Sequence, residues 1–185
     1  HSFPTRRSSD LNIIVARTAE ADNEIYKTIV EAYQTQNVAE FLLVHTQEAQ
    51  IPVFEYDSNI TMTEEQVNEY LAYESSKDGK TVVRVGVCGA SNDQWHVVQK
   101  NLDDQGANIY IELVEFDAYN LPNEALNTGD IDLNAFQHKA YLNKDSETNG
   151  YDLTVIGDTL IAPLTLYSQK FESVDALKEA AGLLE

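Results

Sequence analysis

The sequence predicts an α/β layer, a mostly parallel sheet flanked by helices. Short apolar runs alternate with stretches of helical spacing along most of the chain. β-Branched residues crowd the runs "LNIIVAR", "TVVRVGVCG", "NIYIELVEF" and "YDLTVIGD". Cap and turn residues such as Asn23, Thr63, Gly89 and Gly129 stand at the junctions.

Taken in order, residues 11–17 read as a buried strand. "ADNEIYKTIVEAYQT" has apolar residues at 25, 26, 29, 30 and 33, which is helical spacing, with Asp22 or Asn23 as N-cap. A short helix follows over 37–45, and 51–57 reads as an extended tail. From Ser58 to Lys80 the character turns polar. Thr63 with Gln66 forms a capping box for one surface helix inside a linker, and Tyr70, Leu71 and Tyr73 offer it a docking surface. A denser pattern begins at Thr81. A strand enters a Gly89 turn, and a helix begins at "NDQWHVVQKNLDDQG", capped by Asn92 or Asp93. "NIYIELVEF" is a strand, "LPNEALNTG" a short helix closed by Gly129, and "DIDLNAF" an alternating strand. "QHKAYLNKDSE" is helical, "YDLTVIGDTLIAPLTLYS" gives two strands, and "SVDALKEAAGL" starts a helix capped by Ser173.

The bulk numbers limit the function. The chain has 185 residues, 43% of them hydrophobic, enough for a real core. Twelve basic and 31 acidic side chains give a formal charge of -19, which repels nucleic acid. The one cysteine, Cys88, allows no intrachain disulfide and reads as a small buried hydrophobe. No apolar stretch approaches the roughly 20 residues of a membrane span. There is no nucleophile motif, and the histidines and aspartates show no metal-ligand spacing, so neither enzyme chemistry nor a cofactor is expected.

Three stretches carry a resemblance: "TVVRVGVCGA", "IELVEFDAYNLPNEALNTGDIDLNAFQHKAYL" and "LTVIGDTLIAPLTLYSQKFESVDALKEAAG". Together they resemble the NlpA family of methionine-binding lipoproteins, the substrate-binding components of methionine ABC importers. "LNIIVARTAEADNEIYKTIVEAYQTQNVAEFL" with "IPVFEYD" resembles the C-terminal part of the same family. The expected division is therefore 1–10 as an assembly artefact, 11–57 as a C-terminal-type segment, 58–80 as a linker, and 81–185 as an N-terminal lobe segment. This inverted order fits a slice of a tandem fusion, which the start without methionine favours, and it also fits a circular permutation. The resemblance implies one lobe of a type II periplasmic-binding-protein-like fold, with the second lobe missing. It also implies an extracytoplasmic, lipid-anchored solute-binding protein that hands methionine, or a related amino acid or dipeptide, to an ABC importer permease. The alternative is a single-lobe protein-interaction or regulatory module.

By the same resemblance Tyr119, Phe136, His138 and Tyr141 line the side-chain half of the ligand pocket. Phe136 ends a strand, and His138 and Tyr141 open the next helix three residues apart. Ala140 stands where the family is expected to have proline. Aromatic walls suit a thioether, because sulfur gains about 0.3–1.5 kcal/mol from each ring contact. Gly89, Ala90 and Ser91 either approach the ligand through their backbone or simply turn the chain before a helix. Arg17 and Arg84 match no position that grips the amino-acid head group, so the chain as given is expected to bind methionine poorly or not at all.

Overall fold

The structure, a computed structural model, describes residues 10–162. The expected strand after Pro163 and the helix from Ser173 lie outside the described residues.

Strand β1 (Ile13–Arg17) is followed by helices α1 (Glu24–Tyr33) and α2 (Gln36–His45), and by a short strand β2 (Ile51–Pro52). Helix α3 (Glu64–Leu71) leads to β3 (Thr81–Cys88), α4 (Gln94–Asp104) and β4 (Ile109–Phe116). Then come α5 (Leu121–Thr128), β5 (Leu133–Asn134), α6 (Lys139–Asn149), β6 (Leu153–Asp158) and β7 (Leu160–Ile161).

The main sheet has the order β4-β3-β5-β1-β6. β3 pairs in parallel with β4 and with β5. β1 runs antiparallel to both of its neighbours, β5 and β6. Four of the five strands thus share one direction, and β1 alone opposes them. β2 and β7 form a separate antiparallel pair.

β1 explains the layering. Ile13, Ile14, Val15 and Ala16 have no exposed surface, as a strand covered on both faces requires. Side chains alternate across a strand. Ile14 and Ala16 enter a large cluster with Ile29, Tyr33, Phe41, Trp95 and Leu102 of α1, α2 and α4. Ile13 and Val15 enter a smaller one with Leu126 of α5, Ile131 and Leu142 of α6. Burying each such aliphatic side chain contributes roughly 1.5–3 kcal/mol, so this first segment is a central part of the core.

Segment 58–80 is docked rather than slack. Thr63 and Gln66 form the expected capping box of α3, and Val67 is buried. Glu40 of α2 is 6% exposed, and its carboxylate accepts from Gln36 Nε2 (2.8 Å), Met62 N (2.7 Å) and Thr61 N (3.3 Å). Tyr70 Oη accepts from Asn37, while Tyr73 Oη and Ser75 Oγ donate to Asp103 of α4. The expected docking patch therefore meets α2 and α4 of its own chain.

Three expectations change. Asp93 is the N-cap residue of α4, one of the two expected, but it makes no side-chain cap hydrogen bond. Asn92 donates to the Gly89 carbonyl, and Asp93 pairs with His45 at 2.8 Å. The "DIDLNAF" strand shrinks to Leu133–Asn134, because the chain leaves the sheet to place buried amides. Cys88 is half-buried at the end of β3 rather than sealed in the core.

Candidate functional site

The parallel strands β3, β4 and β5 end on the same side of the sheet, which is where open α/β sheets bind ligands. The loops leaving those ends carry Gly89–Asn92, Tyr119 and Phe136. Between them lies a cleft of about 280 Å³. Its walls include Tyr119, Phe136 and Leu160 on the apolar side, and Asn12, Gln50, Ser91, Asn92 and Thr159 on the polar side. No charged side chain lines it among the described residues.

The four expected site residues stand together as a chain of rings. Tyr119 and Phe136 have centroids 5.7 Å apart. Phe136 meets Tyr141 edge-on at 6.1 Å, and Tyr141 meets His138 edge-on at 6.5 Å. The Tyr141 hydroxyl donates to the Tyr119 carbonyl at 3.1 Å, tying the first ring's segment to the third ring. Tyr119 is 61% exposed, so the row opens to solvent at that end. Tyr119 and Phe136 line the cleft, whereas His138 and Tyr141 lie behind Phe136, outside its lining.

Local structure explains these positions. Phe136 follows β5 by two residues and projects from the loop into α6. His138 is the N-cap of α6, and its Nδ1 accepts from the Tyr141 amide at 3.2 Å. This imidazole therefore replaces the usual Ser, Thr or Asp cap oxygen. Burial, and after it the Asp145 charge, pushes the Tyr141 hydroxyl pKa up. Burial and the Glu115 charge likewise raise that of the Cys88 thiol.

Residues absent from the sequence-based set complete the cleft. Tyr33 of α1 is fully buried, its hydroxyl pKa pushed up by burial despite hydrogen bonds with Gln94 and Thr159. Gln50 reaches Ser91 at 2.9 Å. The turn before it places Gln47 and Glu48 at positive φ (52° and 64°), a strained backbone for residues with a side chain. Nothing local in the sequence marks these positions, since the tertiary fold brings them to the cleft.

A larger groove of about 510 Å³ lies between Tyr73–Ser75, α4 and the outer part of β4. It holds none of the expected residues and does not lie at the strand ends, so the smaller cleft is the candidate site. No group of His, Cys, Asp and Glu suited to a metal exists among the described residues.

The cleft of this α/β lobe lies beyond its parallel strand ends, the position at which open α/β sheets bind ligands. The NlpA lipoprotein family profile matches residues 2–54 and 83–183, and the chain belongs to that family. It is 44% identical over 100 residues to the D-methionine-binding lipoprotein MetQ of Escherichia coli K12, covering 54% of this chain and 36% of that protein. It is 41% identical over 97 residues to the probable D-methionine-binding lipoprotein MetQ of Pasteurella multocida, covering 52% and 35%. Among solved structures, it overlaps a phosphate-binding protein of a phosphate ABC transporter from Streptococcus pneumoniae. That overlap has a TM-score of 0.47 at 8% identity, over 94% of this chain and 60% of the other. The matched stretch thus spans little more than a third of the curated relatives. No helix among the described residues is long and apolar enough to cross a membrane.

Proposed function

We propose that this chain is part of an extracytoplasmic, membrane-anchored solute-binding protein that delivers methionine or a close relative to an ABC importer permease. It performs no chemistry. The chain supplies the wall that receives the thioether side chain, with Tyr119 and Phe136 in contact and His138 and Tyr141 backing them. The observation that carries this reading is the ring row from Tyr119 to His138 beside an uncharged cleft. Aromatic edges favour sulfur, and a neutral cleft accepts methylenes without leaving a charge unpaired.

The same neutrality fixes the strength of binding. No charged side chain among the described residues of the cleft lining balances an ammonium or a carboxylate, so the affinity this lining supplies comes from the side chain alone. Burial of a methionine side chain contributes roughly 1.5–3 kcal/mol, which corresponds to dissociation constants no tighter than about 5 mM. NMR titration of the chain with L- and D-methionine tests this. The expected result is weak, millimolar shifts confined to the Tyr119, Phe136 and Gly89–Asn92 resonances. Micromolar affinity would show that the ionic end is also held here, and shifts elsewhere would refute the site.

A further inference from the structure

Behind the ring row lies a closed cluster of three buried amides. Asn123 and Asn134 have no exposed surface, and Gln137 is 2% exposed. Asn123 and Gln137 face each other in a reciprocal pair. Asn123 Nδ2 donates to Gln137 Oε1 at 2.9 Å, and Gln137 Nε2 donates to Asn123 Oδ1 at 2.7 Å. Asn134 Nδ2 also donates to Asn123 Oδ1 (2.9 Å), and Gln137 Nε2 to Asn134 Oδ1 (3.0 Å). The second Nδ2 proton of Asn123 goes to Asp145 Oδ2 at 2.8 Å, and that of Asn134 to the Pro122 carbonyl at 3.4 Å. Every amide proton is used and every amide oxygen accepts. Flipping any one amide would set donor against donor, so the cluster has a single arrangement.

Each member lies beside one of the rings in sequence. Asn123 follows the Tyr119 loop by four residues, Asn134 and Gln137 bracket Phe136 and precede His138, and Asp145 lies one helical turn after Tyr141. The cluster is therefore the common tie among three ring-bearing segments. A buried polar cluster of this size gains little net stability over apolar packing but enforces one geometry.

We infer that Asn123, Asn134 and Gln137, anchored by Asp145, are positioning residues that hold Tyr119, Phe136 and Tyr141 in register as one preformed wall. They act through the rings and touch no ligand. That the wall serves methionine rests on the function proposed above; that the amides set its geometry does not.

The substitution N123D tests this with almost no change of shape. It replaces the donor facing Gln137 Oε1 and Asp145 by a second oxygen, setting acceptor against acceptor and charge against charge. Adding D145N gives the new oxygen at position 123 a donor and removes the charge conflict, leaving the Gln137 Oε1 contact as the one remaining mismatch. The readout is the set of nuclear Overhauser contacts between the Tyr119 and Phe136 rings and between the Phe136 and Tyr141 rings, in the full ligand-free chain. The expected result is loss of these contacts in N123D and their partial return in N123D/D145N, with β3–β4 contacts unchanged throughout. Ring contacts that persist in N123D while its melting temperature falls would overturn the inference and leave the cluster a packing device. Should N123D fail to fold, the milder Asp145→Ala, which removes the peripheral acceptor of the cluster together with an exposed bond from Asn149, carries the same comparison. Methionine-induced shifts are recorded alongside. Their absence from the unsubstituted chain would fell the functional reading, while the ring contacts would still decide the positioning role.

Discussion

Glu40 offers the sharpest test of how segment 58–80 is held. Its buried carboxylate accepts from Gln36 Nε2 and from the backbone amides of Thr61 and Met62. The substitution Glu40→Ala removes all three bonds and leaves the Met62 amide, previously at 2.7 Å, facing a void. Hydrogen bonds to charged groups contribute about 1.5–3 kcal/mol each. Removing the carboxylate also relieves the cost of burying it. The Thr61 bond is long at 3.3 Å, and Thr61 itself lies on the surface, so water replaces part of the loss there. The balance is a destabilisation of about 2–4 kcal/mol, or roughly 5–15 °C in melting temperature for a chain of this size. Urea unfolding gives the first quantity. Hydrogen exchange over residues 61–71 gives the location, with α3 amides exchanging faster than those of β3. A loss below about 0.5 kcal/mol with unchanged α3 exchange would refute the claim that this carboxylate staples the segment.

Two further outcomes follow from the packing. Burial pushes the Asp103 carboxyl pKa up, but donors from Lys80, Ser75 and Tyr73 outweigh it and leave it below the usual carboxylate range. Its contribution is therefore complete above about pH 4 and is lost as pH falls through the depressed folded-state value; the stability gap between the parent chain and Asp103→Asn, measured by urea unfolding, should hold nearly constant from about pH 6 to about pH 4 and shrink below that, and a gap that stays constant below about pH 4 would contradict this. A Cβ at Gly86 would lie 2.5 Å from Ile131 Cδ1 and 3.1 Å from Phe116 Cε2, so Gly86→Ala should cost about 1–3 kcal/mol by overpacking in the same urea assay, and a neutral outcome would mean that β3 and the Ile131 loop move apart freely.

What the sequence revealed depended on how local each signal was. The α3 capping box was legible because Thr63 and Gln66 bond across a single turn. Gly129 was legible as a helix stop because its φ of 86° is natural only for glycine. The direction of β1 was not legible, since its partners in β5 and β6 lie more than 110 residues away. "DIDLNAF" misled for a different reason. Its apolar–polar alternation suggests that polar side chains face water, yet Asn134 is buried in the amide cluster. The ring row was visible through the family resemblance, and its geometry required the fold. The loop at Gly89–Ser91 was a candidate from sequence, but the rest of the polar wall was not legible, because Tyr33, Gln50 and Thr159 reach the cleft from other segments.

The placement of β1 sets the order in which this chain can assemble. The earliest of the described strands occupies the interior of the sheet, and one of its two neighbours, β6, is among the last described stretches to be made. Until residue 158 has left the ribosome, Ile13–Ala16 cannot be covered on both flanks. An oily strand must therefore wait, uncommitted, while every strand between it and β6 is made. Such long-range closure slows folding and exposes a sticky edge meanwhile, so yield in cells should respond more to chaperone supply than to small changes in equilibrium stability.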